Sequence, residues 1–164
     1  MQESIETGSL YQSKTWVELT DNCLQNGTAL HFIGLLSDGN VHSNISHLIA
    51  MLKKARELDL PRVYCHILLD GRDVPATSAL DYVDQLESVL AELNDAEHEY
   101  KIASGGGRMV VTMGAQGAVF ATLDGEDGYC PAKKVDVKDT TGAGDAFFAG
   151  AVIGQTYSKT MMES

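Results

Sequence analysis

Basic residues and cysteines are scarce in this sequence, and long apolar runs are missing. Only 12 Lys and Arg stand against 23 Asp and Glu, which gives a formal net charge of −11 at pH 7. A field of that sign repels nucleic acid and anionic lipid, so the composition argues against both as partners. Any anion that binds must therefore find a local site whose charge differs from that of the whole chain.

The cysteines are too few and too widely spaced for a disulfide framework or a zinc cluster. Cys23, Cys65 and Cys130 are an odd number, and two of them lie in apolar stretches, which is typical of reduced thiols. No apolar run approaches the roughly 20 residues that span a bilayer. The first residues, MQESIETGS, lack the basic start and apolar stretch of a signal peptide. We therefore expect a cytoplasmic protein with no membrane partner.

What the sequence does contain is an alternation of apolar runs and helical periodicities. Its 164 residues are 44% hydrophobic and 21% charged, the balance of a globular chain. Short runs rich in Leu, Ile and Val predict strands, and apolar residues at helical spacing predict helices between them. The predicted strands cover 29–36, 62–69 and 100–104, and the predicted helices carry Trp16 to Leu24, Ile45 to Leu52 and Leu80 to Leu93.

The pattern changes after residue 108, where Gly-rich turns separate short strands. Segments 110–113, 117–122 and 129–137 predict hairpin strands, and 146–154 is apolar on every side, as in a buried helix. Strands joined through helices predict parallel pairing in the first part. We therefore expect an α/β fold in three layers: a largely parallel twisted sheet with flanking helices, plus C-terminal hairpin strands and a buried helix.

Polar residues follow each of the first three strands. His42, Arg72 and Arg108 would converge at one sheet edge, because the carboxyl ends of parallel strands meet there. Guanidinium groups and backbone N–H donors can hold phosphate or carboxylate, so this arrangement favours an anion site. The alternative is that these segments are simple turns and that His42 only caps a helix. The other histidines suggest no role, and His31 and His66 are expected to be satisfied core groups.

Three ordered segments also carry a family resemblance. GLLSDGNVHSNISHL, HILLDGRDVPATSALDYV and KIASGGGRM are similar to the phosphotransferase domain of cofactor-independent phosphoglycerate mutases, over about residues 4–113. The resemblance implies that His42, Arg72, Asp73 and Arg108 bind phosphoglycerate. In that family a separate phosphatase domain supplies a nucleophilic serine and binds Mn ions.

This chain departs from the mutase pattern in two ways. The family continues from the third motif into Met-Asp-Arg, with a further substrate arginine, whereas here Met113 is followed by GAQ. The phosphatase domain, its serine and its Mn ligands have no counterpart in the sequence. We therefore expect no Mn site and no mutase turnover.

A second resemblance begins where the first stops. VTMGAQGA and DTTGAGDAF are similar to the C-terminal part of ribokinase-like (PfkB-type) carbohydrate kinases. The resemblance implies a catalytic base at Asp145, and ATP with Mg as cofactors if such a site is retained. It also implies contacts with nucleotide or developing phosphate charge at Thr112, Gly114, Gly117, Gly142, Ala143 and Gly144. The alternative is a glycine turn into a buried helix, capped by Asp145, and the sugar-binding half of such kinases is missing.

The two resemblances meet at 108–114, so we interpret the chain as a chimera in one domain, 1–164. Segment 1–113 is mutase-like and segment 114–164 is kinase-like. We expect no complete active site and, at most, weak binding of phosphate or phosphoglycerate. The alternative is a minimal phosphotransferase in which Asp145 and the GAGD turn work with the polar cluster. We also expect a homo-oligomer, such as a dimer, that buries apolar residues left uncovered: Leu10, Trp16, Phe147, Phe148 and Ile153.

Overall fold

The computed structural model describes residues 1–103, 108–122, 125–134 and 143–157. The chain divides into two compact units, unit 1 (Met1–Ala103) and unit 2 (Ser104–Ser164). The single domain expected over 1–164 stays a prediction. Among the described residues the strands form two three-stranded sheets, one in each unit.

Unit 1 alternates helices and strands, as predicted. A short 3₁₀ turn, Ser9–Gln12, lies between its first two helices. Its helices are α1 (Gln2–Glu6), α2 (Lys14–Asn26), α3 (Ile45–Glu57) and α4 (Ala79–Leu93), and its strands are β1 (Leu30–Leu36), β2 (Arg62–Leu69) and β3 (Glu99–Ile102).

Local capping explains where these helices begin and end. The Ser13 hydroxyl accepts the N–H of Trp16 at the start of α2, and Gly27 adopts φ 58° where α2 stops. The Asn44 side chain accepts the N–H of Ser46 at 2.9 Å and so caps α3.

The sheet of unit 1 has the order β1-β2-β3, and both strand pairs are parallel. This confirms the predicted α/β fold with a parallel sheet and flanking helices. Because the strand order never reverses, right-handed crossovers place α3 and α4 on the same face of the sheet. In unit 1, α3 and α4 therefore lie against one face of the sheet.

The core lies between that face and the helices. Leu52 of α3, Val63 of β2, Leu86 of α4 and Tyr100 of β3 are each 0% exposed and belong to one cluster. Trp16 is also buried and stacks on Phe32, with ring centroids 6.5 Å apart. The expectation that Trp16 belongs to an exposed patch is therefore wrong, and Leu10 is half-buried.

The opposite face of this sheet is open. Ile33 is 75% exposed and Leu68 is 42% exposed. His31 and His66 lie on the same face, where their Nδ1 and Nε2 atoms are 2.8 Å apart. The expectation that these two histidines are core groups is wrong, because alternate residues of a strand point to opposite faces and only one face is covered.

Unit 2 contains the predicted hairpin strands and the predicted helix. Strands β4 (Arg108–Thr112), β5 (Ala118–Thr122) and β6 (Asp127–Cys130) pair antiparallel in that order, and α5 spans Ala143–Thr156. The predicted continuation of the third hairpin strand through 135–137 lies outside the described residues.

The burial predicted for α5 is not found in its described side chains. Phe147 is 41% exposed and Ile153 is 56% exposed, whereas the side chain of Phe148 lies outside the description. Apolar residues on every face of a helix favour its burial, but they do not ensure that other segments of the chain pack against each face. In the part of the chain that the structure describes, no helix has the length and apolarity needed to cross a bilayer.

Candidate functional site

Two loops meet at the carboxyl ends of β1 and β2. We call residues 37–44 the β1 loop and residues 70–78 the β2 loop; they connect these strands to α3 and α4. The register pairs Leu36 with Leu69, so the first residue of each loop, Ser37 or Asp70, follows directly from a paired position. In parallel sheets this edge is where binding groups collect.

A buried hydrogen bond joins the two loops. The Ser37 hydroxyl donates to Oδ2 of Asp70 at 2.7 Å, and the two residues are only 1% and 7% exposed. Oδ1 of Asp70 accepts the backbone N–H groups of Arg72 at 2.9 Å and Asp73 at 3.1 Å. One carboxylate therefore fixes both the separation of the loops and the turn that follows β2.

The surroundings of Asp70 favour its charged form. Burial alone raises the pKa of the Asp70 carboxyl, but the N–H of Arg72, the Ser37 hydroxyl and the N–H of Asp73 lower it, and so does the nearby His42. The net pKa lies below the ordinary value. Asp70 is therefore an anion whose hydrogen-bonding capacity is largely satisfied by the protein itself.

The loops also touch through their backbones. A Cβ placed on Gly39 would lie 2.8 Å from Cβ and 3.2 Å from the carbonyl oxygen of Asp73. Only glycine fits this approach without displacement. The Tyr82 hydroxyl of α4 hydrogen-bonds to Oδ1 of Asp38, which links the β1 loop to α4.

The β1 loop has its own internal order. Its turn at Asn40 adopts φ 60°, and the Asn40 N–H donates to the carbonyl of Ser43 at 3.0 Å. The Ser43 hydroxyl donates to the carbonyl of Leu35 at 2.7 Å. The N–H of Ile45 donates to the carbonyl of Ser37 at 2.8 Å, which ties the loop to the start of α3.

The structure brings together three of the four residues that the mutase resemblance implied. His42 lies in the β1 loop, close enough to influence Asp70, while Arg72 and Asp73 lie in the β2 loop. His42 and Arg72 are exposed and Asp73 is half-buried. The fourth, Arg108, begins β4 in unit 2, and its side chain and the preceding 104–107 lie outside the described residues. The four-residue site therefore stays a prediction.

The residues implied by the kinase resemblance lie in unit 2. Thr112 ends β4, and Gly114 and Gly117 flank the next turn with φ values of 58° and 103°. Ala143 and Gly144 are exposed at the start of α5. Gly142 and the side chain of Asp145 lie outside the described residues, so the catalytic role predicted for Asp145 stays a prediction.

Backbone packing explains why glycine occupies position 117, which the sequence alone did not indicate. A Cβ at this position would lie 2.1 Å from the carbonyl oxygen of Cys130 and 2.9 Å from Cα of Pro131. Its positive φ also disfavours a side chain. Close backbone packing therefore accounts for glycine at 117 without a nucleotide.

The Ser37–Asp70 pair was missed as a unit, although both residues lie in motifs that the sequence analysis singled out. The available signal was positional: each is the first polar residue after an apolar strand. Their contact becomes visible only when β1 and β2 are aligned in register.

A second polar cluster was given no role from sequence. His98 is 6% exposed in its side chain; its Nδ1 lies 2.7 Å from Asp95 Oδ1, and its Nε2 lies 2.9 Å from Asp59 Oδ1. Arg56 donates to Asp95 at 2.6 Å. This cluster joins the end of α3 to the connection before β3, at the opposite edge of the sheet from the two loops.

The described residues contain no group of three or more His, Cys, Asp and Glu side chains arranged to hold a metal ion.

Comparisons with known proteins agree with the architecture of unit 1. The family described as the BPG-independent PGAM N-terminus matches residues 1–118. A probable 2,3-bisphosphoglycerate-independent phosphoglycerate mutase of Leptospira interrogans is 46% identical over 110 residues, which are 67% of this chain and 20% of that protein. The corresponding mutase of Trypanosoma brucei brucei is 43% identical over 111 residues, 68% of this chain and 20% of its own length.

A solved structure gives the same result. The Leishmania mexicana phosphoglycerate mutase, crystallised at low cobalt concentration, superposes with a TM-score of 0.60 at 35% identity, over 62% of this chain and 19% of that one. The chain thus spans about a fifth of the length of the relatives it matches. With the family match extending over most of its length, this chain belongs to the family of the BPG-independent phosphoglycerate mutase N-terminus.

Proposed function

We propose that unit 1 binds a phosphoglycerate-like anion at the paired β1 and β2 loops, and that the chain does not itself complete the mutase reaction. The observation that carries the proposal is the buried bond between Ser37 and Asp70, 2.7 Å long, which holds the two loops at one edge of the sheet. His42 lies on one loop, and Arg72 and Asp73 lie on the other.

Each of these three side chains suits one part of such a ligand. The Arg72 guanidinium can donate two parallel hydrogen bonds to a phosphate or carboxylate. The His42 imidazole donates to a second anionic oxygen. The Asp73 carboxylate accepts from a ligand hydroxyl, and it disfavours ligands that present an anion at that point. The proposal includes no metal-dependent step.

Two features limit the affinity. His42 and Arg72 are exposed, so water and salt screen their attraction for an anion. The net charge of −11 opposes the approach of any anion to the chain. The relatives' catalytic activity belongs to whole proteins of which the matched 110 residues are only 20%, and this chain is proposed to retain only binding.

Calorimetric titration with 3-phosphoglycerate at low salt tests this proposal. Arg72→Gln should weaken binding about tenfold or more, because a hydrogen bond to a charged group is worth about 1.5–3 kcal/mol. Arg62→Gln is the matched control, since it removes the same charge at the opposite end of β2. Absence of binding by the parent chain, or equal losses in the two variants, would contradict the proposal.

We further propose that residues 110–164 derive from a ribokinase-like protein, which makes the chain a chimera. This rests on the VTMGAQGA and DTTGAGDAF motifs, and the mutase family match extends only to residue 118. The antiparallel sheet and α5 of unit 2 are compatible with that origin. If the chain is instead a minimal phosphotransferase, it should consume ATP in the presence of a sugar, and Asp145→Asn should abolish that activity. If neither the parent chain nor the variant consumes ATP, only the binding function remains.

Self-association is also proposed, since Ile33, Leu68 and Phe147 expose apolar surface. Sedimentation at micromolar concentration should give a mass above 17.6 kDa. A purely monomeric mass would contradict this proposal.

A further inference from the structure

We propose that Ser37 and Asp70 are positioning residues for the candidate site: their buried pair sets the backbone from which Arg72 and Asp73 reach the ligand. This inference rests on the proposed binding function and assigns a role to two residues that would not themselves touch a ligand.

The hydrogen bonds of Asp70 point to this role. Oδ2 is occupied by the Ser37 hydroxyl at 2.7 Å, and Oδ1 receives the N–H groups of Arg72 and Asp73 at 2.9 and 3.1 Å. With the residue 7% exposed, the carboxylate serves the loops rather than solvent. Because Asp70 is the first residue of the β2 loop, its hydrogen bonds fix the backbone conformation of the next three residues.

The pair also couples the two loops to each other. Ser37 reaches Asp70 through its hydroxyl, and its carbonyl accepts the N–H of Ile45 at 2.8 Å. The start of α3, the β1 loop and the β2 loop are therefore connected through one serine. Removing its hydroxyl should let the loops move relative to each other, which changes the separation of His42 from Arg72.

A buried negative charge beneath an anion site also needs a reason, because it repels the ligand. Here the reason is geometric, since a carboxylate can accept three hydrogen bonds at once without offering a donor of its own. The backbone N–H groups that point at Asp70 offset part of its charge.

Ser37→Ala tests the inference, and Ser43→Ala is its matched control. Both substitutions remove one serine hydroxyl from the β1 loop, but the Ser43 hydroxyl donates to the carbonyl of Leu35 in β1 at 2.7 Å, whereas the Ser37 hydroxyl reaches the β2 loop. Fluorescence of Trp16, the single tryptophan, verifies that both variants fold.

The first measurement does not depend on any ligand. The amide resonances of Arg72 and Asp73 should shift with pH as the carboxylate that they contact titrates. In Ser37→Ala the midpoint of that shift should rise, because one hydrogen bond to the charged form is lost. In Ser43→Ala it should match the parent. An unchanged midpoint in Ser37→Ala would overturn the inference.

The second measurement is the affinity for 3-phosphoglycerate. Ser37→Ala should weaken binding severalfold, whereas Ser43→Ala should leave it close to the parent value. If the parent binds and both variants bind equally well, the positioning role is wrong while the proposed function stands. If the parent binds no 3-phosphoglycerate, the proposed function fails, and with it the role assigned to the pair at a binding site.

Discussion

The approach of Gly39 to Asp73 gives a quantitative test of how tightly the two loops are packed. In Gly39→Ala the new Cβ would lie 2.8 Å from the Cβ of Asp73 and 3.2 Å from its carbonyl oxygen. Both atoms belong to, or are directly attached to, the backbone of the β2 loop. Neither can swing away as the end of a flexible side chain would, so the loops must separate.

The expected loss follows from two opposing effects. Overpacking costs about 1–3 kcal/mol, while replacing glycine by alanine stabilises by about 0.4–1 kcal/mol through the unfolded chain. We therefore expect Gly39→Ala to lower the free energy of unfolding by about 1–2 kcal/mol. With an m value of about 2 kcal/mol/M, the urea midpoint should fall by about 0.5–1 M.

Urea unfolding followed by Trp16 fluorescence reports directly on unit 1, which contains that residue. Gly71→Ala is the control, because its Cβ would meet Cα of Ala76 at 3.6 Å, an ordinary contact. We expect this control to be neutral or slightly stabilised. A Gly39→Ala variant as stable as the Gly71→Ala variant would refute the packing of the loops described above.

Three further predictions concern the core and the second polar cluster. Leu86→Ala, at a fully buried position, should lower the free energy of unfolding by about 2–5 kcal/mol in urea titrations. Tyr100→Phe should cost about 1–2 kcal/mol in the same assay, because the Leu60 carbonyl loses its buried donor, now 2.9 Å away. Hydrogen bonding to Asp95 is the main cause that raises the pKa of His98 above its ordinary 6.5. The contribution of His98 to stability should therefore be complete below pH 6.5 and disappear as pH rises through the raised pKa, a dependence that His98→Gln should flatten.

The elements of unit 1 were predictable because each depends on a local pattern. The apolar run at 62–69 became β2 with the same bounds, and Leu80 to Leu93 fell within α4. The faces of the strands were not predictable in this way. His31 and His66 were assigned to the core because they lie within strands, whereas the direction of the crossovers decides which alternate residues the helices cover.

The candidate site was predictable only as far as its motifs. Placing His42 and Arg72 after neighbouring parallel strands required nothing beyond the strand order. The Ser37–Asp70 bond joins residues 33 positions apart, and it depends on a register that no local pattern contains. The exposure of Phe147 and Ile153 on α5 was not predictable for a related reason, since composition does not show which surfaces the rest of the chain provides.

In the β1-β2-β3 sheet each new strand is added on the same side of the previous one, and this order has a practical consequence for protein engineering. Suppose that a helix and a further parallel strand were added after β3, with the new strand placed next to β1. A right-handed crossover would then place the new helix on the opposite face of the sheet, over Ile33 and Leu68. Grafting such a segment should bury the exposed apolar face in a second hydrophobic core and raise the solubility of unit 1 when it is produced alone.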